Sequence, residues 1–124
     1  MKKIAAFCFL FSIAVTAFAD QCPNPNEVVT CKGGECVVNH PSGWWVAEVG
    51  NLSGPVNFSV AAWGDHSSTV DNVRCYYYNR DQSQAVKLVS EQRYPESSVD
   101  HSPWGNLDLY HLCSSQSVSD CKFG

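Results

Sequence analysis

Residues 73–78, Val-Arg-Cys-Tyr-Tyr-Tyr, alternate in a way that fits an extended chain. Side chains of a strand point to opposite faces in turn, so Val73, Cys75 and Tyr77 share one face while Arg74, Tyr76 and Tyr78 share the other. The pattern predicts a central strand, one face core and the other surface. Residues 56–61 show the cleanest period of two and predict a strand with Val56, Phe58 and Val60 inward. Residues 44–49 predict another, bounded by turns at 41–43 and 50–55. Apolar runs at 28–31 and 36–39 flank Lys32-Gly33-Gly34-Glu35, a four-residue turn, and predict a hairpin that brings Cys31 close to Cys36. Residues 85–90 fit a strand or a short helix; the strand, with Val86 and Leu88 inward, pairs back onto the central one. Residues 107–113 predict a final strand. Residues 20–26 are an extended lead-in, 62–69 and 94–106 are loops, and 114–124 are a polar tail held by Cys121. No segment combines helical period with caps.

Composition sharpens this picture. Residues 20–124 contain no isoleucine or methionine but are rich in valine, tyrosine and tryptophan, which suit a pleated, half-buried surface. The expected fold is all-β: a small antiparallel, β-sandwich-like domain with disulfides, in one unit spanning residues 20–124. Residues 1–19 read as a secretory signal peptide. Lys2 and Lys3 precede a short apolar run and the small-residue exit Ala17-Phe18-Ala19. Cleavage there leaves six cysteines of the seven: Cys22, Cys31, Cys36, Cys75, Cys113 and Cys121. In an oxidising compartment they imply up to three disulfides, whose pairing the sequence leaves open. The product is expected to be periplasmic or extracellular, with no membrane span.

Charge excludes one class of partner. Loss of Lys2 and Lys3 leaves 6 basic residues against 12 acidic ones, and the six are scattered. A phosphate backbone needs clustered Lys and Arg, so nucleic acid is not an expected partner.

Cys22-Pro23, Gly43-Trp44, Cys75-Tyr76, Val86-Lys87-Leu88 and Cys113 occur in an order that resembles a family of small secreted bacterial domains of unknown function. The resemblance implies export from a Gram-negative bacterium and a β-sandwich-like domain. It carries over no functional residue, and Cys31, Cys36 and Cys121 are additional to it.

Two loops repeat the triplet Asp-His-Ser: Asp65-His66-Ser67 and Asp100-His101-Ser102. Convergence of the loops would let Asp65, His66, Asp100 and His101 ligate a metal such as zinc. Hydrolysis would need the same residue types in triad geometry, which neighbours in sequence rarely reach. The simpler reading is turn chemistry, because Asp and Ser bond their own backbone in loops. No catalytic residue and no cofactor are expected. Aromatics offer more: adjacent rings on strands cannot all face one core, so some must be exposed. Trp44, Trp45, Tyr76, Tyr78 and Trp104, with Arg74 as polar anchor, are the candidate contacts of a binding module that recognises glycan or a protein surface. The alternatives are a disulfide-stabilised enzyme inhibitor presenting residues 94–104, and a small hydrolase or metal-binding protein.

Overall fold

The run of β-forming residues around Cys75 becomes the longest-paired strand of the molecule. The computed structural model describes residues 20–65, 69–107 and 110–124; the segment read as a signal peptide lies outside them. In chain order the elements are α1 (Pro25–Val28), β1 (Val29–Lys32), β2 (Glu35–Val38), β3 (Trp44–Val49), β4 (Asn57–Trp63), β5 (Val70–Tyr78), β6 (Gln84–Pro95), β7 (Gly105–Leu107) and β8 (Tyr110–Ser114). β1 and β2 form the two-stranded hairpin. The other six form one antiparallel sheet in the order β3-β6-β5-β4-β8-β7, so the fold is all-β and sandwich-like. Within it, β4, β5 and β6 follow one another and β3 lies beside β6, a Greek-key arrangement. The connection from β3 to β4 starts at Gly50, whose N–H donates to Ala85 O at 2.7 Å. A Cβ there would lie 2.5 Å from Gln84 O, so only glycine fits so close an approach.

Register sorts the sheet into two faces. Val46, Leu88, Cys75, Ala61 and Cys113 lie opposite one another across five strands and form an inner row. Trp63, Val73, Tyr77, Val86 and Phe58 extend this buried face. It is covered by Cys22, Val28 and Val29 from the N-terminal side, by Val99 and Trp104, and by Val118, Cys121 and Phe123 from the C-terminal side. Disulfides pin both covers to the inner row: Cys22–Cys75 holds the first and Cys113–Cys121 the last. The third bridge, Cys31–Cys36, closes the β1–β2 hairpin, where the two residues are direct cross-strand partners. Phe123 sits at the hub of the cover, edge-on to Trp44, Tyr94 and Trp104 at centroid distances of 6.2, 5.0 and 6.3 Å. Asp20 and Phe123 exchange both backbone hydrogen bonds, at 2.6 and 2.8 Å.

Several sequence expectations need correction. Residues 25–28 are a helical turn rather than extended lead-in. Asn24 starts it, its N–H donating to Glu27 Oε1 at 2.9 Å, and Pro25 stands where its missing N–H costs nothing. Strict alternation puts Val60 inward with Val56 and Phe58, but a bulge between Phe58 and Val60 shifts the alternation by one residue. Val56 and Phe58 are buried, whereas Val60 moves to the opposite face and Ala61 takes the core position. β4 runs on through Trp63, whose indole N–H donates to Tyr94 O at 2.8 Å. β6 continues to Pro95, paired with Val70, because a proline at a strand end loses no ladder bond inside the sheet. The final strand expected over residues 107–113 is instead the β7–β8 hairpin.

Candidate functional site

The face opposite the core is built by the same register. Trp45, Val89, Arg74, Ala62, Leu112 and Gly105 form one cross-strand row over all six strands. Glu48, Lys87, Tyr76, Val60 and Ser114 form the next. Tyr78 and Tyr110 extend the face at its two ends. Arg74, Tyr76, Tyr78, Lys87, Tyr110 and Leu112 surround an open depression of about 560 Å³, with Gly64, Asp65 and Asp71 at its rim. The sharing of one face by Arg74, Tyr76 and Tyr78 follows from the period of two on β5. Among the described residues no segment covers it as the hairpin and tail cover the other face.

Charges on this surface are positioned rather than loose. The Arg74 guanidinium donates to Asp71 Oδ2 at 3.3 Å and to Gly64 O at 2.9 Å. Asp71 uses its other oxygen to accept the Asn72 N–H at 2.8 Å, which orients the pair. Lys87 places its ammonium 5.8 Å from the Tyr76 ring centroid, over the ring of its cross-strand neighbour in a cation–π arrangement. Glu48 accepts from the Gln84 amide at 2.9 Å. The surface therefore offers aromatic and aliphatic area in the middle and fixed polar groups beside it, the composition of a recognition site.

The remaining candidates are placed differently. Trp45 is 56 % exposed and stands at the β3 edge of this face. Its neighbour Trp44 points the other way, half-buried against Phe123, and lines a separate cleft of about 320 Å³ with Tyr94 and Gln92. Trp104, a candidate contact by sequence, is core instead: it is 7 % exposed, and its indole N–H donates to Lys122 O at 2.8 Å. Its ring packs on Phe123, which no local pattern at Pro103-Trp104-Gly105 could indicate.

Asp65 lies at the rim of the depression, and His66 and Ser67 lie outside the described residues. Asp100 and His101 are exposed in the other loop. The His101 ring nitrogens lie 3.0 Å from Ser98 O and 3.1 Å from Ser102 O, within its own turn. Among the described residues no group of three or more His, Cys, Asp and Glu side chains gathers to hold a metal. The segment proposed for an inhibitory loop is tied down by buried Ser98, Val99 and Trp104. Its His111 neighbour is buried too, 2.8 Å from Glu96 Oε2 and edge-on to Trp63.

Sequence reasoning missed Lys87, Val89, Tyr110 and Leu112. The first two follow from the alternation of β6 once Val86 and Leu88 are taken as inward. Tyr110 and Leu112 required the β7–β8 hairpin. Two phenols have chemistry set by burial: desolvation raises the Tyr77 hydroxyl far above the ordinary tyrosine range, helped by the Glu27 charge. Tyr94 is raised in the same direction by burial and then by its hydrogen bond to Asp20. Both sit on the core side and donate, Tyr77 to Pro23 O at 2.6 Å and Tyr94 to Asp20 Oδ2 at 2.5 Å. In the comparisons with known proteins, no family model, no curated protein and no solved structure matches this chain.

Proposed function

We propose that this chain is an exported, non-catalytic binding protein that recognises a glycan on the outer face of its six-stranded sheet. The observation that carries the reading is the asymmetry of the sheet. One face is sealed by two disulfide-pinned covers, while the other keeps Tyr76, Tyr78 and Tyr110 around an open depression with Arg74 and Lys87 beside them. A tyrosine ring offers a flat apolar area with a polar tip, which suits the C–H face and rim hydroxyls of a sugar. Three disulfides support folding in an oxidising compartment, as export to the periplasm or beyond requires.

The test is a glycan and cell-surface binding screen on the oxidised protein, repeated with Tyr76→Ala. Saturable binding should weaken by about 2 kcal/mol or more, roughly 30-fold, without loss of fold. Equal affinity in wild type and variant contradicts the placement of the site. A protein surface is the second reading, favoured by Trp45 and Leu107, 56 % and 60 % exposed on the β3 and β7 strands at opposite edges of the sheet. Binding that needs Trp45 and Leu107 but tolerates Tyr76→Ala selects it.

A further inference from the structure

Beyond Tyr78 the sheet ends in a second depression of about 450 Å³, lined by Asn57, Ser59, Tyr78, Gln82 and Gln116 over a floor of Phe58 and Asn79. Among the described residues no acidic or basic side chain lines it. Tyr78 is a wall of both depressions, so the two are adjacent sites on one surface. We infer that this amide-lined cleft is a second subsite for a neutral oligosaccharide whose first residue lies on Tyr76 and Tyr78; the inference rests on the glycan reading above.

Three features carry it. The side-chain amides of Asn57, Gln82 and Gln116 have no hydrogen-bond partner among the described residues. The amide of Asn79, by contrast, is fully used in holding the loop. It donates to Asn51 O at 2.7 Å and to Ser83 Oγ at 3.0 Å, and accepts the Ser53 N–H at 3.2 Å. The cleft thus has a fixed frame and free amides. Each free amide presents a donor and an acceptor side by side, the pair that neighbouring sugar hydroxyls or an N-acetyl group can satisfy.

Backbone placement is the second feature. Gln82 closes the β5–β6 loop, its N–H donating to Asn79 O at 2.9 Å, at φ 72°, a conformation where glycine is the ordinary choice. A long amide at the position where glycine would be easiest is the kind of backbone outlier found at ligand clamps. Gln116 arrives from beyond β8 because the Ser115 N–H donates to Ser59 O at 3.2 Å, which ties that segment to β4. The third feature is the neutral lining among the described residues, which makes hydroxyl-rich uncharged ligands the matching class.

The test titrates N-acetylglucosamine, its β-1,4-linked dimer and trimer, glucose, cellotriose and maltotriose into the wild type, Tyr76→Ala and a Gln82→Gly/Gln116→Ala double variant. Glycine at 82 suits the existing turn, so the double variant should fold. The binding trisaccharide should exceed its own monosaccharide at least ten-fold in affinity, and the double variant should lose that gain while keeping monosaccharide affinity. In NMR spectra the side-chain NH₂ signals of Asn57, Gln82 and Gln116 should shift only with the longer sugars. A length gain that survives in the double variant overturns the subsite. Binding without any length gain overturns the subsite but leaves the Tyr76 site standing. No binding by any of these sugars overturns both.

Discussion

At the scale of single residues, the buried tyrosines decide more than their number suggests. Tyr77 bridges the sheet to the N-terminal cover through Pro23 O, so Tyr77→Phe leaves a buried carbonyl unpaired and should cost about 1–3 kcal/mol in denaturant unfolding. The same phenol gives the molecule a pH limit. Tyr77 and Tyr94 both have hydroxyls raised in the folded state, so the fold binds those protons more tightly than the unfolded chain, where tyrosine titrates near about 10. Their contribution is complete below that value and is lost as pH rises above it. Melting temperature should therefore fall above about pH 10, and Tyr77→Phe should be less stable at pH 7 yet show a shallower alkaline decline. Gln82→Gly should raise stability by up to about 1 kcal/mol, since it relieves a left-handed backbone, even as it weakens the proposed subsite. Residue-level reading of the sequence worked where alternation was unbroken, as at Arg74, Tyr76 and Tyr78. It failed at Val60, because a bulge carries no local signature in Phe58-Ser59-Val60, and at Trp104, whose burial depends on Phe123 nearly twenty positions away.

At the scale of elements, strands and turns were legible because their signals are local. The β1–β2 hairpin was written in Lys32-Gly33-Gly34-Glu35, and β3 and β5 in their apolar runs. Lengths were less legible: β6 continues to Pro95 because β5 offers partners as far as Val70, which is a property of the pairing and not of residues 91–95. Disulfide pairing was open in the sequence apart from the hairpin bridge, since Cys22 meets Cys75 only when the inner face is covered. The three bridges should differ in weight. Cys22–Cys75 spans 53 positions and Cys31–Cys36 only 5, so loop-closure entropy assigns about 4 kcal/mol to the first and about 2 kcal/mol to the second. Paired Cys→Ala variants, unfolded in urea, should show that order. An equal or reversed order would mean that the N-terminal cover remains docked without its bridge.

At the scale of the whole molecule, one sheet has two faces with opposite fates. Two chain segments, pinned by disulfides to β5 and β8 on either side of β4, seal the inner row, and that sealing leaves the outer rows as the broad uncovered surface among the described residues. The candidate site was half legible: β5 declared its three outer residues, whereas the partners from β6 and β8 and the amide cleft depend on strand order and on how residue 116 is carried back to β4. The domain is small and net acidic, and the cations of its outer face, Arg74 and Lys87, lie beside Tyr76 and Tyr78, the arrangement on which the proposed binding role rests. The measurement that tests this most directly is an NMR shift map of the oxidised protein titrated with whichever oligosaccharide binds in the screen. Shifts are expected to concentrate on Arg74, Tyr76, Tyr78 and Lys87, with the core side unchanged. Shifts confined to the Trp44 cleft or to the loop at residues 96–104, with those four residues still, would contradict it.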